Sequence, residues 1–210
     1  MTKVKICGIT NLEDALLSAE LGADNLGFNF YKKSPRYILP DEAREVIGKL
    51  PPEISTTGVF VNEDPQKIAD IAKIADLTAI QLHGEESPGF LFELKTKMDL
   101  EIIKAFRVGS DFEPEFISQY EADSILLDAF SPKEYGGTGN VFDWEIAKRV
   151  REIFPRMYLA GGIDVENVTI AIDAVEPYAI DACSGLEEFP GKKNHDQLRK
   201  FLAVFASDDR

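Results

Sequence analysis

Cys7 and Asp128 are the two side chains of this sequence best placed to exchange protons with a small substrate. Cys7 ends an apolar run and is followed by Gly8, and Asp128 ends the apolar run 125–127. A reactive side chain at the exit of a strand is typical of sites in parallel α/β proteins. The alternatives are a small buried hydrophobic side chain for Cys7 and a helix or loop cap for Asp128.

Two short turns near the end of the chain predict a phosphate site. Gly161 and Gly162 follow the seventh strand-like run, and Ser184 and Gly185 follow the eighth. Backbone amides at such turns bind anions, and glycine lets them approach closely. Two ordinary turns are the alternative. Gly137, in the glycine-rich stretch 136–139, would either add further amides or form part of a mobile cover.

Arg36 and His83 are the remaining candidates for binding a substrate. Arg36 lies in the basic run 32–36 of a chain whose net charge is -14, and its planar guanidinium group suits a carboxylate. His83, after the fourth strand-like run, is either a donor that faces a ligand or a structural histidine. No cluster of His, Cys and Asp in the sequence has the spacing of metal ligands, so we expect no metal.

The elements that must position these residues are eight strand-like runs that alternate with amphipathic segments. The runs are 4–9, 25–30, 57–61, 79–83, 101–106, 124–129, 157–161 and 179–183. Most are short and apolar throughout, as strands covered on both faces should be. The segments between them begin with helix-start residues, including the fifth at 112–114.

This alternation is compatible with an open doubly wound sheet or with a closed barrel. The open sheet would need a nucleotide-binding glycine fingerprint after its first strand, but Gly8 stands alone. The pattern therefore predicts an α/β fold with one (β/α)8 TIM barrel as a single domain over residues 1–210. Its long loops would be 31–39, 130–141 and 184–193. Cys7 and Asp128, on the first and sixth strands, would face each other across the barrel mouth, an arrangement suited to isomerisation by proton transfer.

Composition limits the possible partners and location. A net charge of -14 and a pI of about 4.6 argue against binding nucleic acid, whose phosphates would be repelled. The two cysteines, Cys7 and Cys183, lie near opposite ends of the sequence and suggest no disulfide framework, which fits a reducing cytosol. There is no signal-like N-terminus and no apolar run of membrane-spanning length. We expect a cytoplasmic protein that is a monomer or a homodimer.

A series of short motifs runs in a familiar order along essentially the whole chain. They include Lys-Ile-Cys-Gly-Ile-Thr at 5–10, Ser-Pro-Arg-Tyr-Ile at 34–38, Gly-Val-Phe-Val-Asn at 58–62, Gln-Leu-His-Gly at 81–84, Leu-Asp at 127–128, Gly-Gly-Thr-Gly at 136–139, Leu-Ala-Gly-Gly-Ile at 159–163, Ser-Gly-Leu-Glu at 184–187 and Pro-Gly-Lys-Lys at 190–193. In this order they closely resemble the phosphoribosylanthranilate isomerase family of tryptophan biosynthesis.

The resemblance implies an Amadori rearrangement of N-(5-phosphoribosyl)anthranilate. On the family pattern, Asp128 protonates the furanose ring oxygen and Cys7 removes the C2 proton of the resulting Schiff base. Arg36 would meet the anthranilate carboxylate, Asp181 a sugar hydroxyl, and the two glycine-containing turns the phosphate. No cofactor is implied, because the substrate nitrogen is itself the electron sink. A free thiol has a pKa of about 8.5, so the site must assist Cys7 if it is to be a thiolate at neutral pH.

The sequence departs from the family pattern at two places. The stretch 181–184 contains Ala182 and Cys183, where the family more often has a valine and a serine, and Asn194 stands where an aspartate is common. Two other functions remain open at this stage: the related aminoaldose-phosphate isomerase of histidine biosynthesis, which usually uses two aspartates, and a non-catalytic barrel that only binds a phosphosugar.

Overall fold

Eight parallel strands form a closed barrel, in which each strand pairs with the next along the chain and the last pairs with the first. The computed structural model describes residues 1–109, 112–128 and 144–206. The strands are β1 (Lys3–Cys7), β2 (Asn25–Asn29), β3 (Ser55–Phe60), β4 (Ala79–Leu82), β5 (Glu101–Arg107), β6 (Ser124–Asp128), β7 (Met157–Ala160) and β8 (Ala179–Ala182). The predicted (β/α)8 TIM barrel is therefore confirmed.

Helices follow the strands on the outside of the barrel. They are α1 (Leu12–Glu20), α2 (Pro40–Ile47), α3 (Pro65–Ala75), α4 (Pro88–Lys97), α5 (Trp144–Ile153), α6 (Val168–Val175) and α7 (His195–Ala203). Local chemistry explains several of their starts. The side chains of Asn11, Asp64, Ser87 and Asn194 each accept a hydrogen bond from a backbone N–H of the first helical turn.

Two connections differ from the sequence prediction. After β5 the chain forms a six-residue 3₁₀ helix, Pro114–Gln119, instead of an α-helix. Aromatic packing replaces a longer helix there, because Phe116 and Tyr120 contact the ring of Phe106 edge-on. The loop after β8 also has structure of its own, which is described next. The predicted loop 130–141 lies outside the described residues.

The segment after β8 begins with a 3₁₀ turn, Ser184–Leu186, and continues as two short antiparallel strands, β9 (Glu187–Phe189) and β10 (Lys192–Lys193). This hairpin was predicted as a loop. It brings Glu187 and Lys193 to the carboxyl ends of β1 and β8, where both side chains are almost completely buried.

The apolar core has two parts. The larger cluster fills the space between the barrel and the helices, and it includes Ile6, Leu26 and Ile80. A smaller cluster lies on strands β5 to β8 and consists of Ile103, Ala105, Leu126, Tyr158, Ala160 and Ala179. No helix among the described residues is long and apolar enough to cross a membrane.

Most predicted strands extend one or two residues beyond the observed strands at their carboxyl ends. The chain turns away there instead of continuing in the sheet. Gly8, with φ 78°, and Gly161, with φ 89°, have left-handed conformations that favour glycine. The residues just past the strand ends therefore form the rim of the barrel mouth.

Candidate active site

A cavity of about 280 Å³ lies at the carboxyl ends of the strands, and it brings together the predicted site residues that the structure describes. Its lining includes Cys7, Arg36, His83, Asp128, Gly161, Gly162, Asp181, Ser184 and Gly185. The predicted binding residue Gly137 lies outside the described residues. Cys7 and Asp128, which the sequence separates widely, thus share one cavity.

The Cys7 thiol sits in a narrow space between β1, β2 and β8. A side chain added at Gly27 would place its Cβ 2.7 Å from the Cys7 sulfur. One added at Gly8 would lie 3.0 Å from the sulfur of Cys183 and 2.7 Å from the Cδ atom of Arg36. Because Gly8 and Gly27 have no side chains, the space beside them is available to the two cysteine sulfurs and to Arg36.

The surroundings of Cys7 favour its thiolate. A hydrogen bond from the Cys183 thiol and the positive charge of Lys5 outweigh the effect of burial and lower the pKa of Cys7 to about 6. The same contact with Cys7, together with burial, raises the pKa of the Cys183 thiol well above its usual value. Lys5 is completely buried and its Nζ lies 2.8 Å from Oδ1 of Asp181. These surroundings thereby supply the assistance that a thiol needs to be ionised at neutral pH.

Lys193 is a second buried cation beside Cys7, and the sequence prediction did not include it. Its Nζ donates hydrogen bonds to the carbonyl oxygens of Cys7, at 2.6 Å, and Cys183, at 3.2 Å. It also lies 3.4 Å from Oε1 of Glu187. In the sequence, this lysine is one of two after Pro-Gly, and no local signal distinguishes it from Lys192, whose side chain is 27% exposed.

Arg36 is held against the cavity wall by Glu187. The Arg36 Nε donates to Oε1 of Glu187 at 2.8 Å, and Nη2 donates to Oε2 at 2.5 Å. These hydrogen bonds outweigh burial and raise the pKa of Arg36. Burial alone would raise the pKa of Glu187, but the hydrogen bonds from Arg36 and the charges of Lys193 and Arg36 lower it overall. The guanidinium group is thus oriented by the protein before any ligand carboxylate reaches it.

Asp128 lies at the opposite side of the cavity in a chain of hydrogen bonds. The Gln81 Nε2 lies 2.8 Å from Nδ1 of His83, and the His83 Nε2 lies 3.3 Å from Oδ2 of Asp128. When the Gln81 amide donates to Nδ1, the His83 proton is on Nε2 and points to the carboxylate. The Oε1 of Gln81 is buried and has no hydrogen-bond partner among the described residues. Gln81 was not predicted as a site residue.

The two glycine-containing turns pack directly against each other. A Cβ at Gly185 would overlap the carbonyl oxygen of Ile163, so only glycine permits this approach. Gly162 has φ 69°, and its carbonyl oxygen accepts a hydrogen bond of 2.8 Å from the Asn167 side chain. The turns after β7 and β8 therefore form one continuous wall of the cavity, as a phosphate site of this type requires.

The acidic residues Glu13 and Asp14 lie with His195 on the far side of β10, within the separation that metal ligands have. The Lys192 ammonium group already lies 2.8 Å from Glu13 and 2.9 Å from Asp14. A lysine thus supplies the positive charge that this acidic group needs.

The chain resembles known proteins over nearly its whole length. A family model described as N-(5'-phosphoribosyl)anthranilate (PRA) isomerase matches residues 4–204. A curated protein of Thermotoga maritima named N-(5'-phosphoribosyl)anthranilate isomerase is 48% identical over 202 residues, which are 96% of this chain and 97% of that protein.

Solved structures agree with this result. A crystal structure of phosphoribosyl anthranilate isomerase from T. maritima has a TM-score of 0.88 at 48% identity, covering 96% of this chain and 97% of that one. A complex of such an isomerase with reduced 1-(o-carboxyphenylamino)-1-deoxyribulose 5-phosphate has a TM-score of 0.85 at 46% identity and the same coverage. A structure of monomers generated from the dimeric T. maritima isomerase has a TM-score of 0.84 at 44% identity, again with 96% and 97% coverage.

Proposed function

This chain belongs to the N-(5'-phosphoribosyl)anthranilate isomerase family, and from this premise we propose that Cys7 is the general base and Asp128 the general acid of its reaction. The chain catalyses the isomerisation of N-(5'-phosphoribosyl)anthranilate in tryptophan biosynthesis, an Amadori rearrangement that yields 1-(2-carboxyphenylamino)-1-deoxyribulose 5-phosphate. The observation that supports the assignment is the position of both groups in one cavity.

The first chemical step opens the furanose ring. Asp128, in its protonated form, donates its proton to the ring oxygen, the bond between that oxygen and C1 breaks, and the anilino nitrogen forms a Schiff base with C1. The Asp128 carboxylate that results accepts a hydrogen bond from Nε2 of His83, which stabilises the negative charge.

The second step moves a proton from C2. The Cys7 thiolate takes this proton, and the electron pair of the C–H bond moves toward the positively charged nitrogen. The resulting enol tautomerises to the ketone. A thiolate is available at neutral pH because the pKa of Cys7 is lowered to about 6 by the Cys183 hydrogen bond and by Lys5, against the effect of burial.

Binding of the two anionic ends orients the substrate between the acid and the base. We assign the phosphate to the wall formed by Gly161, Gly162, Ser184 and Gly185, and the anthranilate carboxylate to Arg36. Asp181 lines the same cavity but is paired with Lys5, so its contact with a sugar hydroxyl would use its second carboxylate oxygen. We further propose a cytoplasmic enzyme, monomeric or homodimeric, with a small phosphosugar as substrate and no nucleic-acid partner.

The experiment that tests the assignment combines growth and kinetics. The chain is expressed in a bacterial strain that lacks this step of tryptophan synthesis. The Cys7→Ala and Asp128→Asn variants are expressed in the same strain. Each substitution should abolish growth without tryptophan and lower kcat by at least about 10²-fold. Asp70→Asn, on the exposed face of α3, serves as the matched control and should keep full activity.

Circular dichroism and urea unfolding must show that both variants remain folded. Turnover near that of the unsubstituted chain in either variant would remove that residue from its proposed role.

A further inference from the structure

The two cysteines meet where the barrel closes between β1 and β8. The strands pair in parallel register, with Lys5 opposite Asp181 and Ile6 opposite Ala182. Continuation of this register by one residue brings Cys7 opposite Cys183. Neighbouring strands lie about 4.7–4.9 Å apart, and a disulfide joins Cα atoms about 4.4–6.8 Å apart. The cysteines that directly follow the last pair therefore start from a strand spacing that a disulfide can bridge.

The side chains and their support also suit a bond between the two sulfurs. Both cysteines are free, and each thiol is the main cause of the shift in the other's pKa, as expected for neighbouring side chains. The single ammonium group of Lys193 binds the carbonyl oxygens of both residues, which holds the two backbones together.

The pair is accessible to small reagents. Cys7 and Cys183 both line the cavity that opens at the barrel mouth, so a molecule that fits the substrate site reaches them. An ionised thiol attacks disulfides and peroxides, and a second thiol beside it resolves the adduct. Cytosolic disulfides are usually of this transient, redox-sensing kind.

We propose that Cys7 and Cys183 form a reversible disulfide, which removes the thiolate from the site and stops the isomerase under oxidising conditions. The loss of activity rests on the proposed role of Cys7 as the base; the disulfide itself does not. Position 183 is more often a serine on the family pattern, and a serine cannot form this bond.

The reaction balances with a low-molecular-weight disulfide, such as oxidised glutathione, as the oxidant. The Cys7 thiolate attacks one glutathione sulfur, the bond between the two glutathione sulfurs breaks, and one glutathione leaves as a thiolate. Cys183 then gives its proton to the glutathione thiolate released in the first exchange and attacks the Cys7 sulfur. The bond between Cys7 and the second glutathione breaks, and that glutathione leaves as a thiolate. The cysteines lose two electrons, and the oxidised glutathione gains them.

The test uses the full reduced chain incubated with oxidised glutathione. We expect the intact mass to fall by two hydrogen atoms with no glutathione attached, and the free thiols to fall from two to none. The protein should stay monomeric in mass on a denaturing, non-reducing gel, and peptide mapping should link the peptides of Cys7 and Cys183. Turnover should fall by at least about 10²-fold and return with dithiothreitol.

Cys183→Ser is the matched variant, because its hydroxyl can still donate a hydrogen bond to Cys7. Its activity is compared with its own reduced rate. We expect it to accumulate a stable glutathione adduct on Cys7 and no intrachain bond. If this variant does not fold, the mass and the peptide map of the unsubstituted chain decide the question alone.

The inference is overturned if the unsubstituted chain keeps both thiols, stops at the glutathione adduct, or forms only disulfides between chains. An intrachain disulfide with unchanged turnover would support the modification site and overturn the role of Cys7 as the base. The failure of the inference and the failure of the proposed function are thus distinct results.

Discussion

The two sides of the cavity differ in burial and in charge. On the thiol side, the side chains of Lys5 and Lys193 are 0% exposed, and Cys7 is buried between them. On the carboxylate side, the side chain of Asp128 is 29% exposed and that of His83 is 21% exposed. The thiol side is the more buried and is rich in cations, and the carboxylate side is the more exposed to solvent.

This difference fits the roles proposed for the two groups. A thiol is a useful base only when it is ionised, and nearby cations and donors stabilise its charge most effectively where water is excluded. Burial of those cations costs free energy, which their own pairing with Asp181 and Glu187 offsets. In its proposed role as the acid, Asp128 has to regain a proton after each turnover, and its partial contact with solvent gives it a source of protons.

Lys5→Met should produce the largest effect, because it removes the cation whose charge most lowers the pKa of Cys7 and leaves Asp181 unpaired. We expect kcat at pH 7 to fall by about 10²-fold, since the thiolate fraction drops as the pKa of Cys7 rises. Stability should fall by about 3–5 kcal/mol, measured by urea unfolding.

Lys104→Met is the matched control on the other side of the barrel. Lys104 forms an equally buried pair with Glu86, at 2.9 Å, but does not line the active-site cavity. The Lys104→Met variant should lose about as much stability as Lys5→Met, but it should keep the pH–rate profile of the unsubstituted chain. If Lys5→Met and Lys104→Met lose the same activity per folded molecule, then Lys5 does not act by lowering the pKa of Cys7.

Arg36→Met should come next and should act on binding. Loss of charge-assisted hydrogen bonds to the substrate carboxylate should raise KM by roughly tenfold to thirtyfold with little change in kcat. Steady-state kinetics measure both constants. An unchanged KM would assign the anthranilate carboxylate to another residue.

Cys183→Ala should have a moderate effect that depends on pH. The base works in its deprotonated form, so the rate of the unsubstituted chain should rise with pH through about 6, the lowered pKa of Cys7, and then level off. Without the Cys183 donor this rise should move to higher pH, with a loss of roughly tenfold at pH 6 and little loss at pH 9. Cys183→Ser keeps a donor and should keep the lower position of the rise. Identical profiles for all three proteins would exclude Cys183 as a donor to Cys7.

His83→Gln should have the smallest effect. Its hydrogen bond to Asp128 is long, at 3.3 Å, and partly exposed to solvent. We expect kcat to fall by about two- to fivefold, in line with the modest net value of such a bond. A loss as large as that of Lys5→Met would show that the carboxylate side is as strongly organised as the thiol side.

Local patterns predicted a large part of this molecule. The alternation of apolar runs and helix starts was sufficient for the barrel, because each strand and helix has its own periodicity and caps. The ends of the strands indicated Cys7 and Asp128, since side chains at these positions converge on one rim in a parallel barrel. The 3₁₀ helix Pro114–Gln119 was missed because packing against Phe106 outweighs local helix-start signals.

The sequence by itself determined the kinds of elements, their order and which side chains stand at their exits. Only the tertiary structure determined which charged and polar groups surround these side chains. Cys183 lies beside Cys7, and the Lys193 ammonium group binds the carbonyl oxygens of both. Glu187 forms an ion pair with Arg36. The physical reason is that these contacts form only when β8 pairs with β1 and closes the barrel. Residues far apart along the chain then share a space without water, where a single charge has its strongest effect.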